Sequence, residues 1–489
     1  MKSLNYLIMK KNKNIGIILS SRTVEYDLSV YFGDILPIEL PLKNKRALDY
    51  NVDLLNSYCE DIIITIPEGY EIKDLPSNSQ VHQINSDLNF YDVLKKLESI
   101  TGNYERIFIV YGDTIVSNVK KLAVKNYCFV SEPNFNYKWG PKYKNKSVPV
   151  GFYIFEKIVF KKLLVNNNYD DFINQIYSDR KIIKYDDFKW FDIGHSFTYF
   201  FSKKNFLETR HFNSLKIEED FLLKQSKDVF KIWAEFNWLK EIKKVMPSNI
   251  PEVIDFNIID DIGSYRIKYL DHPTLSDLFV FGKINLKAQS NILNKLNQTL
   301  LEMHNFKNSF SNENSNFYVN KLLERKDEIF KVIEKSGESH LFFKKVFDKN
   351  LNFFDENKKD FSVIHGDFCF SNIIYDILNN RVFLIDPRGF TDKKVGFSLY
   401  GPKDYDIFKI AHSYIFGYDR VIANNYSLDF FEPIEIEKRL NIFLEIFKID
   451  RAKLLMGCSH LFLTLIPLHS DNLLRQIYFL KIIRIIENT

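Results

Sequence analysis

The sequence predicts an α/β fold with a doubly wound sheet for the first part of the chain, and a two-lobed architecture for the rest. Over about the first two hundred residues, strand patterns alternate with helix patterns. Near residues 205–213 this gives way to a short β-rich part and then to a mainly helical one. Alternation of this kind predicts a mostly parallel sheet with ligands at the carboxyl ends of its strands. We therefore expect two domains, residues 1–210 and 211–489.

Four apolar, β-branched runs in the first domain predict strands that are buried on both faces. They span residues 15–19, 62–66, 106–110 and 127–130. Two segments between them, 47–58 and 90–100, carry apolar residues at helical spacing.

The second domain begins with a predicted small lobe, residues 211–271. Its β-rich segments are 215–223, 253–259 and 264–270, and one helix is predicted over 229–245. The predicted helical lobe, 272–489, is interrupted by one strand-loop-strand passage at 361–389.

Composition and charge exclude several classes of protein. The 489 residues include 67 Lys plus Arg and 63 Asp plus Glu, a balance of +4 that is too even for a nucleic-acid-binding chain. The four cysteines are far apart, which argues against a zinc site or disulfide framework and fits a reducing cytosol. Residues 1–13 lack the apolar core of a signal peptide, and the apolar run 461–468 is too short to span a bilayer. We expect a cytoplasmic protein without membrane insertion.

The strongest functional pattern lies in the strand-loop-strand passage. His365-Gly366-Asp367 is followed five residues after Asp367 by Asn372, and an apolar strand then leads to Asp386. An aspartate on such a loop can accept the proton of an attacking hydroxyl. An asparagine and a second aspartate can supply the oxygen ligands that Mg²⁺ on a nucleoside triphosphate requires. Each of these residues alone would more often cap a turn. Independent turns would not produce both the spacing from Asp367 to Asn372 and the spacing from Asn372 to Asp386.

These residues closely resemble the aminoglycoside phosphotransferase and choline kinase family, which has a protein-kinase-like fold. The resemblance implies that Asp367 is catalytic and that Asn372 and Asp386 hold Mg²⁺ beside ATP. It further implies that Lys224 grips the ATP phosphates and that Glu235 is its ion-pair partner. Lys224 is the less specific of these assignments, because other lysines stand close by in the sequence.

An acidic segment downstream resembles the family's aspartate-rich helix start. It contains Asp404 and Asp406. Asp404 is expected to cap the helix. Asp406 is expected either to contact the acceptor substrate or to brace the catalytic loop.

The first domain resembles the sugar-phosphate and phosphocholine nucleotidyltransferases, which have a glycosyltransferase-A-like fold. Asp113 and Asp192 each end a predicted strand, and the resemblance implies that they share one Mg²⁺. It also implies that Arg22 binds CTP or another nucleoside triphosphate. The family's glycine-rich loop is replaced here by Ser20-Ser21-Arg22-Thr23, and its triphosphate-binding lysine is missing unless Lys43 or Lys45 replaces it.

Together the two resemblances predict a bifunctional enzyme. One half would phosphorylate a small hydroxylated molecule with ATP, and the other would transfer a nucleotidyl group to the product, by analogy for surface polysaccharide synthesis. The acceptor stays open among amino alcohols such as choline, polyols and sugars. The alternatives are a kinase with a non-catalytic first domain, an antibiotic-modifying phosphotransferase and a non-catalytic scaffold.

Overall fold

The computed structural model describes residues 13–489 except for ten short gaps. The gaps are 121, 124, 138–140, 145, 166–167, 207–212, 307–315, 357–359, 393–395 and 426–427. The chain divides into two compact units, Met1–Phe206 and Leu207–Thr489. The boundary predicted between residues 210 and 211 falls in a gap, outside the described residues.

The first unit alternates strands and helices, as the sequence predicts. Its strands are β1 (Asn14–Leu19), β2 (Pro41–Leu42), β3 (Lys45–Arg46), β4 (Asp61–Pro67), β5 (Ser79–Ile84), β6 (Arg106–Tyr111), β7 (Thr114–Ser117), β8 (Asn126–Ser131), β9 (Val148–Glu156), β10 (Ile182–Tyr185) and β11 (Lys189–Asp192). Its helices are α1 (Tyr26–Phe32), α2 (Ala47–Asn56), α3 (Phe90–Lys96), α4 (Glu98–Thr101), α5 (Lys157–Leu163), α6 (Tyr169–Ser178) and α7 (Ser196–Lys203).

Seven of the described strands form one mixed sheet in the order β10-β8-β9-β6-β1-β4-β5. Strand β9 runs antiparallel to β6 and β8, and the other neighbouring pairs are parallel. The four strands expected from sequence are confirmed as β1, β4, β6 and β8. Along β6, Ile107 and Ile109 belong to one core cluster while Phe108 and Val110 belong to another. The sheet is therefore buried on both faces, because successive side chains of a strand point to opposite sides.

The predicted helices of the first unit differ from the observed ones at their ends. The helix expected over 47–58 ends at Asn56, and the one expected over 90–100 is split into α3 and α4. Asn89 caps α3, because its side chain accepts a hydrogen bond from the Asp92 N–H at 3.0 Å.

The second unit begins with an antiparallel sheet and one long helix. The strands are β12 (Asn213–Glu218), β13 (Phe221–Ser226), β14 (Val253–Ile259) and β15 (Ile262–Lys268), in the order β12-β13-β15-β14, and α8 spans Val229–Val245. The run predicted over 215–223 is a hairpin that turns at Glu219, whose φ is 58°. The helix predicted over 229–245 is confirmed.

The remainder of the second unit is mainly helical. Its helices are α9 (Leu275–Phe281), α10 (Leu286–His304), α11 (Phe317–Ser336), α12 (His340–Glu356), α13 (Asp404–Tyr414), α14 (Tyr418–Ile422), α15 (Pro433–Phe447), α16 (Arg451–Leu465) and α17 (Leu473–Asn488). Short strands occur between α12 and α13: β16 (Phe361–Val363), β17 (Ile373–Asp376), β18 (Arg381–Leu384), β19 (Phe390–Asp392), β20 (Gly396–Ser398) and β21 (Tyr400–Pro402).

One stretch of the described chain, Arg451–His469, has the length and hydropathy of a membrane span. Two thirds of its apolar window, 67%, is buried inside the structure. A core helix of a globular unit has the same composition, and α16 packs against α11, α12, α13 and α17.

Candidate active sites

A buried ion pair links the β sheet and helix of the small lobe. Lys224 lies on β13 and Glu235 on α8, and their side chains meet with Nζ 2.6 Å from Oε2. Both residues are almost fully buried, at 3% and 2% exposure. The Tyr265 hydroxyl donates a hydrogen bond to the same Glu235 oxygen at 3.2 Å. Of the nearby lysines, Lys231 lies farther from Glu235, at 4.0 Å. The structure thus brings together the two residues that the resemblance paired.

Lys224 also contacts Asp386, which lies 162 positions away in the chain. Its Nζ lies 2.9 Å from Asp386 Oδ1. Burial acts to lower the pKa of Lys224, but Asp386, Tyr265 and Glu235 together raise it well above its ordinary value, so the ammonium stays charged. Asp386 has a φ of +54°, a conformation that non-glycine residues adopt at a cost and that is concentrated at functional sites.

A hairpin places Asp386 beside Asn372. Strands β17 and β18 pair with Ile373 opposite Leu384, and the Ile385 N–H donates to the Asn372 carbonyl at 3.1 Å. The Asn372 amide nitrogen donates to the Asp367 carbonyl at 2.9 Å, which directs the amide oxygen away from that bond. An amide oxygen and a half-exposed carboxylate are the donor types that fit Mg²⁺. The described residues contain no group of three or more His, Cys, Asp or Glu side chains placed to hold a metal.

Asp367 is held between two cations that the sequence analysis did not identify. Its Oδ1 lies 3.0 Å from Lys409 Nζ, and its Oδ2 lies 3.2 Å from Arg388 Nη2. Burial alone would raise the pKa of Asp367, but these two charges hold it well below its ordinary range. Asp367 is therefore a carboxylate at any physiological pH. The sequence offers one signal that could have identified Lys409. It follows Asp406 by three residues, so the two side chains lie on the same face of the helix.

Asp406 holds the loop that carries Asp367. Its carboxylate accepts the N–H groups of His365 at 2.6 Å and Gly366 at 2.9 Å, and the residue is fully buried. Burial raises the pKa of Asp406 to about 7. Because both oxygens are engaged by the loop backbone, the geometry fits the bracing role and not the contact with substrate that was also expected. Asp404 does not cap α13 as predicted, and instead forms an ion pair with Lys453.

His365 is held in the loop by hydrogen bonds at both ring nitrogens. Its Nε2 faces the Ile385 carbonyl at 3.1 Å, and its Nδ1 accepts the Asp367 N–H at 3.3 Å. These two contacts define one neutral tautomer, with the proton on Nε2. Burial lowers the pKa of His365 to about 4, so the ring stays neutral.

Two glycines allow the loop to touch the segment after Asp386. Gly366 has a φ of +78°, and a Cβ there would lie 2.2 Å from the Gly389 carbonyl oxygen. The Gly389 N–H and the Arg388 N–H both donate to the His365 carbonyl, at 2.9 Å and 2.7 Å. Only glycine permits this backbone approach.

A cavity in the first unit brings together the remaining predicted residues. Its volume is about 420 Å³, and Arg22, Asp113 and Asp192 are among the residues that line it. Strands β7 and β11 pair with Thr114 opposite Asp192, and the Ile193 N–H donates to the Asp113 carbonyl at 2.9 Å. Asp113, directly before β7, and Asp192, the last residue of β11, therefore lie close together at the cavity.

The electrostatics of this pair favour a cation. Burial, with the charge of Asp192 added, raises the pKa of Asp113 to about 7. Burial also raises the pKa of Asp192, although the carboxylate accepts hydrogen bonds from the Gly194 N–H at 2.9 Å and the Thr198 hydroxyl at 2.8 Å. A divalent cation between the two groups would remove their repulsion, so the donor set fits Mg²⁺.

The basic groups expected around a triphosphate are sparse here. The Arg22 guanidinium donates to the carbonyls of Ser86 at 3.0 Å and Leu88 at 3.2 Å, which commits part of it to the fold. Neither Lys43 nor Lys45 is among the described residues that line the cavity, and Lys45 pairs with Asp53 at 3.1 Å. The expectation that one of them replaces the missing lysine is thus not met by this geometry.

Two polar atoms in the wall of this cavity lack partners. Ser20 Oγ and Trp190 Nε1 are buried and have no hydrogen-bond partner among the described residues.

Comparison with known proteins yields fold-level similarities to solved structures. No family model and no curated relative matches this chain. A thermostable mutant of the aminoglycoside phosphotransferase APH(4)-Ia, in complex with AMP-PNP and hygromycin B, is similar over 57% of this chain and 92% of its own, with 12% identity and a TM-score of 0.40. The GDP and kanamycin complex of APH(2")-IIia is similar over 58% and 91%, with 12% identity and a TM-score of 0.39.

A further similarity is to HddC from Yersinia pseudotuberculosis. It covers 40% of this chain and 99% of that chain, with 16% identity and a TM-score of 0.31. Similarities of this size establish neither a family nor an activity for this chain.

Proposed function

We propose that the second unit is an ATP-dependent kinase of small hydroxylated molecules. The observation that carries the proposal is the contact of Lys224 with both Glu235 and Asp386. It joins the small lobe to the segment that follows the catalytic loop. A lysine held in this way presents a fixed positive charge to phosphate oxygens, and the adjacent Asn372 and Asp386 offer oxygen ligands.

Each residue has a distinct task in this mechanism. Lys224 binds the ATP phosphates, while Asn372 and Asp386 would hold Mg²⁺, which neutralises phosphate charge when it is bound. Asp367 accepts a hydrogen bond from the acceptor hydroxyl and so aims its oxygen at the terminal phosphorus. A new O–P bond forms as the bond to the ADP oxygen breaks. Because the pKa of Asp367 is low, the carboxylate takes the proton only once bond formation has made the hydroxyl acidic.

The first unit is proposed to transfer a nucleotidyl group from CTP or another nucleoside triphosphate to the phosphorylated product. The cavity that holds Asp113 and Asp192 supports this second activity. The absence of glycines around Arg22 favours the alternative, a binding domain without catalysis. By analogy with fused enzymes of this kind, we propose a role in surface polysaccharide synthesis.

Two readouts on single variants test both activities. ADP and pyrophosphate are measured with ATP, each nucleoside triphosphate, Mg²⁺ and a panel of acceptors and acceptor phosphates. Asp386→Ala should abolish acceptor-dependent ADP formation and leave pyrophosphate release from acceptor phosphates intact. Asp113→Ala and Asp192→Ala should do the reverse. If wild type releases no pyrophosphate with any triphosphate, the first unit is a binding domain.

A further inference from the structure

Two lysines and a tyrosine are connected by successive contacts to Asp367, the proposed catalytic aspartate. Lys409 Nζ contacts Asp367 at 3.0 Å and lies 5.9 Å from the ring centre of Tyr405. The Tyr405 hydroxyl in turn accepts a hydrogen bond from Lys321 Nζ at 3.1 Å. Lys321 stands on α11, and Arg325 follows it by one helical turn. A second cation, Arg388, contacts the other oxygen of Asp367.

Lys321 is placed unusually for a lysine. Its Nζ lies 3.9 Å from the ring centre of Phe317 and 4.3 Å from that of Tyr405. Within the described part of the chain it has no carboxylate within 4.0 Å, although partly buried lysines are generally paired with one. Burial lowers the pKa of Lys321, and the charges of Lys409 and Arg325 act in the same direction.

The carboxylates near this cluster do not neutralise it. Asp406 is fully buried against the loop backbone, and Asp404 pairs with Lys453. Glu324 and Glu328 on α11 are exposed to solvent, although their charges act on Arg325. Asp367 pairs with two of the four cations, Arg388 and Lys409. Lys321 donates to the Tyr405 hydroxyl and Arg325 to the Thr464 carbonyl, so neither of these two cations contacts a carboxylate directly in the described part of the chain.

We propose that the acceptor of the second unit carries an anionic group, a phosphate or a carboxylate, as well as the hydroxyl that is phosphorylated. This inference rests on the proposed kinase function and narrows its substrate class. The hydroxyl lies against Asp367 and the anion against Lys321 and Arg325. An amino alcohol or an aminoglycoside would bring a positive charge into a region that already holds an excess of it, and such juxtaposition is costly.

The positions of Arg388 and Lys409 do not show whether these cations bind the acceptor or the nucleotide. Both touch Asp367, so both can also stabilise the phosphoryl group in transit. Lys321 is the residue that distinguishes the acceptor from the nucleotide, because it stands on α11 in the helical lobe and its hydrogen bond goes to Tyr405 and not to Asp367. Its exposed neighbour on the same helix, Lys326, provides a control of equal charge.

The first test is an acceptor panel on the full chain with ATP and Mg²⁺, read by ADP formation and product mass. The panel holds sugar phosphates, sugar acids, neutral sugars and polyols, choline, ethanolamine and kanamycin. We expect a sugar phosphate or a sugar acid to be used with kcat/KM at least tenfold above its neutral counterpart, and the two arms identify which anion is recognised. Lys321→Gln should raise KM for that acceptor at least tenfold with a smaller change in kcat, while Lys326→Gln should leave both unchanged. Preferred use of a neutral or cationic acceptor overturns the inference and leaves the kinase proposal standing.

The second test separates the anion site from the chemistry. Inorganic phosphate is added to the full chain saturated with Mg²⁺ and AMP-PNP, and the melting temperature is recorded. We expect phosphate to raise it in wild type and Lys326→Gln but not in Lys321→Gln. A Lys321-dependent shift without turnover of any acceptor supports the anion site and counts against the kinase. An equal shift in all three proteins, or none in wild type, overturns the inference.

Discussion

At the scale of single residues, Asp367 is the side chain that is proposed to take the proton of the acceptor hydroxyl. Asp367→Asn removes the acceptor of the hydroxyl proton, so phosphoryl transfer should fall by roughly 10²–10⁴-fold, the usual contribution of a positioned base. Binding of AMP-PNP, measured by titration calorimetry, should be retained, because the nucleotide contacts proposed here are those of Lys224 and the metal ligands.

Asp404→Asn is the matched control for this variant. It removes the same charge from a partly exposed aspartate that pairs with Lys453. Its turnover should stay near that of wild type. If Asp367→Asn keeps near-wild-type turnover, Asp367 is not the catalytic aspartate.

Some site residues could be identified from the sequence and others could not, and the difference has a physical reason. Asp367, Asn372 and Asp386 belong to one short passage, where spacing along the chain determines spacing in space. Lys409 contacts Asp367 from a separate helix, so their meeting depends on packing that the spacing within the passage does not encode. Arg388 lies in the passage itself, but its contact with Asp367 depends on how the segment after Asp386 folds back on the loop. For the same reason the two possible roles of Asp406 could be separated only by its hydrogen bonds.

At the scale of elements, the close approach between the catalytic loop and the segment after Asp386 gives a test of local geometry. Gly366→Ala would place a methyl group 2.2 Å from the Gly389 carbonyl oxygen, at a φ of +78°. Gly337→Ala meets no atom within 4 Å at a φ of +73°, so it isolates the cost of backbone strain, about 1–3 kcal/mol.

Gly366→Ala should therefore lower the free energy of unfolding by more than Gly337→Ala does and should abolish ADP formation. Both quantities are accessible by urea unfolding and by the kinase assay. Equal losses of stability with full activity in both variants would show that the loop does not need this contact.

The core helix α16 contains a buried histidine that gives a pH-dependent prediction. His460 Nε2 faces the Tyr318 carbonyl at 3.0 Å, and burial lowers the pKa of His460 to about 3. The unfolded chain binds its proton near pH 6.5, so the stability due to the neutral ring is complete above that pH. Below pH 6.5 this contribution to the free energy of unfolding falls by about 1.4 kcal/mol for each pH unit.

His460→Gln keeps a donor for the Tyr318 carbonyl but does not titrate. Between pH 7 and pH 5, wild type should therefore lose about 2 kcal/mol more stability than the variant, as measured by denaturant unfolding. Parallel losses in the two proteins would show that His460 is not kept neutral by the fold.

Whether a strand could be predicted from the sequence depended on how fully its two faces are buried. β1, β4, β6 and β8 read clearly because apolar residues cover both of their faces. β5 and β10 are edge strands with partly exposed residues, so their apolar signal is weak. β9 is fully buried along most of its length but contains Pro149, which lies opposite Val130 next to a register shift, where a proline is tolerated.

At the scale of the whole molecule, the chain divides into two compact units, Met1–Phe206 and Leu207–Thr489. The assignment of activities to the units could not come from composition, because a sheet and a two-lobed helical unit each serve many functions. It rests on the separate clusters around Asp367 and around Asp113.

The second unit should be an independent kinase, and a fragment that begins at Asn205 tests this. Its ion pair, catalytic loop, metal ligands and cationic cluster all lie within Leu207–Thr489, and so does the core that supports them. The fragment should unfold cooperatively and form ADP at a kcat/KM within about threefold of the full chain, while releasing no pyrophosphate. The same fragment with Asp386→Ala should still fold cooperatively, because Lys224 keeps its ion pair with Glu235, and should be inactive, because it loses a metal ligand. A folded fragment without ADP formation, beside an active full chain, would mean that the first unit contributes to phosphoryl transfer and that the two activities are not separable.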